Sequence, residues 1–131
     1  MFVSNLFTPG FKTLHWTRHA REKMRFYKLS EARVKRVLHS PRRVEEGIAP
    51  GTVAMMQPSF VKTSDGKPNW SQEIWVMIQK KRKVSGIKYQ RAEITKIISA
   101  WRYPGMTKPR SKLTLEFLGR EYAEYSLGES E

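Results

Sequence analysis

The sequence has no cysteine and no long apolar run, and both absences narrow the class of protein. Without cysteine there are neither disulfide bonds nor thiolate metal sites. No apolar stretch approaches the roughly 20 residues that cross a bilayer. The N-terminal MFVSNLFTPGF lacks the basic start of a signal peptide and is interrupted by Pro9 and Gly10. We therefore expect a soluble, cytoplasmic protein with no membrane partner.

Short motifs of the common enzyme classes are also missing. The sequence contains no GxSxG, no Walker-type loop, no dinucleotide fingerprint and no HExxH. His15 and His19 have the spacing of two metal ligands on a helix, but no glutamate lies between them and no third ligand is evident. These absences disfavour familiar hydrolase, kinase and dehydrogenase chemistry, and we expect neither a metal nor another cofactor.

Acidic residues are scarce relative to basic ones. The chain has 25 Lys and Arg against 12 Asp and Glu, a net charge of +13. Residues 116–131 hold five glutamates and one arginine, a net charge of −4, so the first 115 residues carry +17. A body this basic attracts polyanions, because each phosphate that it neutralises releases counterions. RNA or DNA is the favoured partner, while an acidic protein, or a charge that serves only solubility, stays open.

Two short amphipathic helices are predicted near the N-terminus. The first runs from Arg18 to about Tyr27, with Thr17 as its N-cap. The second begins after Ser30, a suitable N-cap, and ends before Pro41, because the residue preceding a proline is disfavoured in a helix. Their buried faces are predicted to contain Ala20, Met24, Tyr27, Val34, Val37 and Leu38.

The middle of the chain favours a sheet. Glu73–Gln79 is apolar on both faces, which predicts a central strand. Pro58 and Pro68 flank the turn signal at residues 64–66 and favour a long loop there over a regular hairpin. The other predicted strands are Arg43–Glu46, Thr52–Gln57 and Arg91–Tyr103; alternation in the last places Ile94, Lys96, Ile98, Ala100 and Arg102 on one face.

These elements predict an α+β fold. An N-terminal helical hairpin is expected to pack on a three- to four-stranded, mainly antiparallel sheet, followed by a C-terminal amphipathic helix. The chain divides into an arm (1–13), the main domain (14–105), a basic linker (106–112) and an acidic helix and tail (113–131). The apolar stripe of that helix is predicted at Leu115, Leu118, Tyr122 and Tyr125. The helix either completes the core or masks the basic face with its glutamates.

Two segments resemble a known group of proteins. The run His19–Met24, followed by Leu29-Ser30-Glu31 and Val37–Pro41, resembles the "HARxRM" opening of small bacterial and phage domains, which are grouped with BrnT and RelE/ParE-like toxins. Lys96–Arg102 is similar to the "RIISAR" strand of BrnT-type proteins. The similarity covers roughly residues 16–103. The sequence departs from the pattern in two places, because Trp101 stands where the family has its arginine and Lys23 where the opening usually has one.

The resemblance implies a metal-independent endoribonuclease toxin that acts on ribosome-associated mRNA and is neutralised by an acidic antitoxin-like protein. In such toxins the RNA 2′-hydroxyl attacks the adjacent phosphate, helped by Arg, Lys, Tyr or His side chains. A non-catalytic module that binds nucleic acid or protein is the alternative, and a structural role is open for His19. The catalytic candidates are His19, Arg21, Arg91, Arg102 and Tyr103.

A second set of residues is expected to bind the nucleic acid without reacting. Trp70 lies in a polar stretch that we interpret as a loop, where an indole can stack on a base or pack back onto the domain. The basic run 80–83 is interpreted as part of a connection between strands, suited to phosphate contacts. The complete set of binding candidates is Arg18, Arg25, Trp70, Lys80, Lys81, Arg82 and Lys83.

Overall fold

A computed structural model describes residues 13–47, 49–84 and 91–128, with side chains described outside 81–84 and 91–93. Within these residues the chain forms five strands and three helices. The strands are β1 (Leu14–Trp16), β2 (Arg43–Glu46), β3 (Thr52–Ser64), β4 (Lys67–Val84) and β5 (Arg91–Pro104). The helices are α1 (Arg18–Tyr27), α2 (Glu31–His39) and α3 (Lys112–Gly128). The predicted arm, apart from Thr13, the turn at Ser85-Gly86 and the last three residues of the tail lie outside the described residues.

The strands form one mixed sheet in the order β1-β5-β4-β3-β2. β1 is parallel to β5, and the other neighbours are antiparallel. The predicted α+β class and the central position of β4 are confirmed. The prediction of three to four strands is wrong, because β1 has only three residues and is too short to show an alternating pattern.

The N-terminal helical hairpin matches its prediction closely. The Thr17 hydroxyl accepts a hydrogen bond from Ala20 N at 3.1 Å and donates one to Ile97 O at 2.7 Å. Thr17 therefore caps α1 and also anchors its first turn to β5. Ser30 caps α2 by accepting from Arg33 N at 3.0 Å. These caps are local features of the sequence, which is why they could be predicted.

The sheet separates two apolar cores, which define its two faces. On the first face, α1 and α2 cover the β4 residues Ile74, Val76 and Ile78 together with Ile97 and Ala100 of β5. On the second face, α3 covers a core that contains Ala54, Met56, Trp75, Met77, Ile98 and Trp101. Residues 73–79, in the middle of β4, are therefore buried on both faces, as their apolar sequence predicts.

A bulge in β5 changes which of its residues share a face. Met77 pairs with Ser99, whereas Ile78 pairs with Ile97, so Ile98 is an additional residue in β5. Ile98 packs in the second core and Ala100 in the first. The prediction that Ile98, Ala100 and Arg102 share one face is wrong, because strict alternation does not continue through a bulge.

The proline-flanked segment is a paired hairpin, so its prediction as a long loop is wrong. β3 and β4 pair from Thr52 with Gln79 to Ser64 with Lys67, with a break at Phe60, around a two-residue turn at Asp65 and Gly66; φ is positive at Phe60 and at both turn residues. Pro58 has no backbone N–H to donate. Its backbone faces β2, as that of Met56 does, but β2 ends before it reaches Pro58, so no hydrogen bond between strands is lost.

Helix α3 begins and ends close to its prediction, but the face that it buries is different. Its buried residues include Phe117, Leu118 and Tyr125, together with the polar residues Thr114 and Glu121. Leu115 and Tyr122 are both partly buried, but Tyr122 packs against the second core, so the predicted stripe is wrong only at Leu115. A pattern based on apolar residues alone misses a helix face that includes polar side chains with partners.

The segment predicted as a basic linker is packed against the second face. Thr107 is buried and bonded to Glu73 through both its backbone N and its hydroxyl.

No helix among the described residues is long and apolar enough to cross a membrane.

Candidate nucleic-acid interface

The predicted catalytic residues do not gather in one place among the described side chains. Arg102 lies on the first face, where it contacts α1, whereas Tyr103 lies on the second face against Phe117 of α3, with ring centroids 5.4 Å apart. His19 belongs to α1, and its side chain faces α3. The side chain of Arg91 lies outside the described part of the chain.

Arg102 holds the C-terminal end of α1. Its Nε donates to Tyr27 O at 2.7 Å, its Nη2 to Lys28 O at 3.3 Å and its Nη1 to Gln72 Oε1 at 2.9 Å. The last carbonyls of a helix have no partner within the helix and carry partial negative charge, so a guanidinium is well placed there. Arg102 therefore links the sheet to the turn between α1 and α2.

His19 belongs to a largely buried polar cluster with α3. Its Nε2 lies 3.9 Å from Glu121 Oε1, and its ring meets the Tyr125 ring edge-on at 6.3 Å. Glu121 also accepts from Ser99 Oγ at 2.8 Å and from Lys23 Nζ at 3.0 Å. The cluster joins α1, β5 and α3, which favours a structural role for His19.

The same cluster contains a potential set of metal ligands. One ligand atom each from His19, Glu121 and Glu124 lie within 4.8 Å of one another. Lys23 Nζ lies 3.0 Å from Glu121 and 3.8 Å from Glu124, so an ammonium group already supplies positive charge to both carboxylates. The arrangement works as an ion-pair cluster without a metal.

Trp70 is a strand residue and not part of a loop. It pairs with Val61, and its Nε1 donates to Glu73 Oε2 at 3.0 Å. The Arg42 guanidinium lies over its ring at 5.2 Å from the centroid. These contacts favour the alternative in which the indole packs back onto the domain.

The basic run at residues 80–83 lies within β4, so its interpretation as part of a connection is wrong. The backbone of these residues pairs with residues 92–95 of β5. Lys80 is exposed, and the side chains of Lys81, Arg82 and Lys83 lie outside the described part of the chain.

The outer side of the α1–α2 hairpin is a strongly basic surface. An open groove of about 460 Å³ runs between the helices and is lined by Arg21, Arg25 and Lys28, with Glu31 at one side. Arg21 Nη1 lies 3.4 Å from Glu31 Oε2, but both side chains are about half exposed, so this ion pair stabilises little. Arg18, at the start of α1, donates to Gly128 O at 2.7 Å.

A second group of cations lies where α2 crosses the sheet, and the sequence analysis missed it. We call Arg33, Arg36 and Arg102 the arginine triad. Burial lowers the pKa of the Arg33 guanidinium, and the positive charges of Arg36 and Arg102 lower it further. The i, i+3 spacing of Arg33 and Arg36 is visible in the sequence, but the proximity of Arg102 requires the tertiary structure.

Three carboxylates, those of Glu45, Glu73 and Glu121, are buried inside the protein and are not part of its charged surface. Glu73 is fully buried and accepts four hydrogen bonds, two from tryptophan indoles and two from Thr107. Glu45, also buried, accepts from Arg43 Nε at 3.0 Å, and Glu121 is held by Ser99 and Lys23. Glu45 and Glu121 each have a cationic partner, whereas Glu73 has only neutral donors, so its burial removes one negative charge from the surface without removing a positive one.

Comparison with known proteins identifies no matching family model, curated protein or solved structure. The resemblance to RelE and BrnT-type proteins stays a prediction.

Proposed function

We propose that this protein is a non-catalytic RNA-binding module that holds the phosphate backbone on the outer side of its α1–α2 hairpin. The observation that carries the proposal is the imbalance of exposed charge there. Residues 18–40 expose two carboxylates, Glu22 and Glu31, against six cations: Arg18, Arg21, Arg25, Lys28, Lys35 and Arg36. Phosphate groups supply the negative charge that this surface lacks.

Binding without cleavage fits the geometry better than a ribonuclease. General acid–base catalysis requires the participating groups to reach one reacting centre. Among the described side chains, His19 contacts Glu121 and Tyr103 stacks on Phe117, while Arg102 lies on the opposite face from Tyr103. Arg102 also donates three hydrogen bonds within the protein.

The proposal is tested by measuring the affinity of the full chain for single-stranded RNA at two salt concentrations. About six phosphate contacts would make the affinity for single-stranded RNA fall by about 300-fold between 50 and 200 mM salt. The variant Arg25→Glu should bind more weakly and show a shallower salt dependence, because Arg25 lines the groove.

Lys62→Glu is the matched control, because Lys62 is also exposed but lies on the β3–β4 hairpin. It changes the net charge by the same amount and should affect binding much less. Equal losses in both variants would indicate attraction to net charge alone, whereas absent or salt-independent binding would reject the RNA proposal and favour an acidic protein partner.

A further inference from the structure

The arginine triad is built by the pairing of three strands together with α2. Gln57 of β3 and Arg102 of β5 both pair with Ile74 of β4, so all three side chains lie in one row on the first face. Arg33 reaches this row from α2, where its Nη1 donates to Gln57 Oε1 at 2.6 Å.

Neutral groups hold two members of the triad, Arg33 and Arg102, in place. Gln57 Nε2 donates to Arg36 O at 3.0 Å and to Ser40 O at 2.8 Å, which fixes the glutamine beneath α2. Arg102 is held by the amide oxygen of Gln72 and by two backbone carbonyls. The described residues place no carboxylate oxygen within 4.0 Å of the three guanidinium groups, so no ion pair among these residues offsets their charges.

The triad also keeps donors available for a ligand. Arg33 donates one hydrogen bond and Arg102 three, so each retains unused N–H groups, and Arg36 is exposed and donates none to the described residues. Guanidinium groups suit phosphate because their planar fork matches two of its oxygens. Two held guanidinium groups, a third at the surface and no carboxylate partner among the described residues together suit an anion site.

We propose that the arginine triad binds a phosphate monoester, namely the terminal phosphate of an RNA strand. A monoester carries a charge of about −1.5 to −2 and three acceptor oxygens, whereas a backbone diester carries a single negative charge. Three uncompensated guanidinium groups therefore match the strand end better than the strand interior. This inference rests on the proposed function, because the RNA chain itself would lie on the α1–α2 hairpin; Arg102 connects the two regions through its bond to Lys28 O.

The experiment compares RNA oligonucleotides of one sequence that carry a 5′-phosphate, a 3′-phosphate or hydroxyl ends, by fluorescence polarisation at fixed ionic strength. Wild-type protein should bind one phosphorylated form about 10-fold more tightly than the hydroxyl form, since charge-assisted hydrogen bonds are strong. The preferred form identifies which end is recognised. Arg36→Ala should reduce this preference to about twofold.

Lys35→Ala is the matched control, because Lys35 is the exposed neighbour of Arg36 on α2 and its removal changes the net charge equally. Because Lys35 also belongs to the basic surface of the hairpin, its removal should lower the affinity for all three RNA forms alike and keep the full preference. Equal preference in all three proteins, or tight RNA binding with no end preference in the wild type, would overturn the proposal.

Failure of the proposed function would be recognised separately, as absence of RNA binding at 50 mM salt. Inorganic phosphate would then be titrated while NMR follows the Nε–H signals of the arginines. Shifts at Arg33 and Arg102 but not at Arg25 would uphold the phosphate site without RNA. Unchanged signals, or equal shifts at Arg25, would overturn it.

Discussion

Arg43 and Arg102 lie on opposite faces of the sheet and have opposite electrostatic surroundings. Arg43 Nε donates to Glu45 Oε2 at 3.0 Å, its Nη groups donate to Thr107 O and Oγ1, and its guanidinium lies over the Trp75 ring at 5.2 Å from the centroid. Arg102 has carbonyl and amide partners, and its positive charge, like that of Arg36, acts on Arg33. Among the described residues, Arg43 has a carboxylate partner and Arg102 has none.

This contrast indicates how the two regions contribute to the protein. A buried cation that pairs with a carboxylate and has its hydrogen bonds satisfied holds helices and strands together. Removing one partner leaves the other charge buried without compensation, which destabilises the fold. A group of like charges opposes folding unless its other contacts offset the repulsion. We therefore assign the network around Arg43 to stability and the arginine triad to ligand binding.

The largest expected loss of stability is that of Glu73→Ala. The substitution leaves the indole N–H groups of Trp70 and Trp75 and the backbone N of Thr107 without their acceptor in a buried region. We expect the free energy of unfolding to fall by about 4 kcal/mol in chemical denaturation. Glu46→Ala, at an exposed position on β2, is the control and should leave stability unchanged. Similar losses in both variants would contradict the structural role of Glu73.

A somewhat smaller loss of stability is expected for Arg43→Met. Methionine fills much of the same space, but Glu45 then remains buried without its guanidinium partner. We expect the free energy of unfolding to fall by about 3 kcal/mol, with little direct effect on RNA affinity at temperatures where the variant is folded. A variant as stable as the wild type would show that the ion pair of Arg43 with Glu45 does not stabilise the fold.

The smallest change in stability is expected for Arg33→Met, although this substitution also replaces a partly buried arginine. It removes one bond to Gln57 and also removes repulsion from Arg36 and Arg102. We expect the free energy of unfolding to stay within about 1 kcal/mol of the wild type, while the affinity for RNA falls. Thermal denaturation and fluorescence polarisation on the same samples test this pair of outcomes. A destabilisation as large as that of Arg43→Met, with unchanged RNA affinity, would reverse our assignment of the two faces.

Local features of the fold could be predicted from the sequence. Thr17 and Ser30 cap α1 and α2 as expected, because a cap depends on a few adjacent residues. The central position of β4 followed from apolar residues on both of its faces. Features that depend on strand pairing were missed, since neither the three-residue β1 nor the bulge at Ile98 leaves a periodic signal in the sequence.

The candidate site was harder to predict than the fold. The basic character of the α1–α2 hairpin is visible in the sequence, and Arg18, Arg21 and Arg25 were among the candidates. Arg33 and Arg36 were not, because their relation to Arg102 arises from the row that Gln57, Ile74 and Arg102 form across three strands. Reading β5 by strict alternation also placed Arg102 with Ile98 and hid its position relative to α2.

The most direct test of the account is to map the RNA-binding surface by NMR, by titrating single-stranded RNA into the full chain at low salt. We predict that the amide signals that shift belong to residues 18–36, and that the arginine Nε–H signals that shift include Arg33 and Arg102. Signals from Lys62 on the β3–β4 hairpin and from Glu116 of α3 should stay in place. Shifts centred on that hairpin or on α3, with α1 and α2 unchanged, would contradict the central claim that RNA binds the uncompensated basic surface of the helical hairpin.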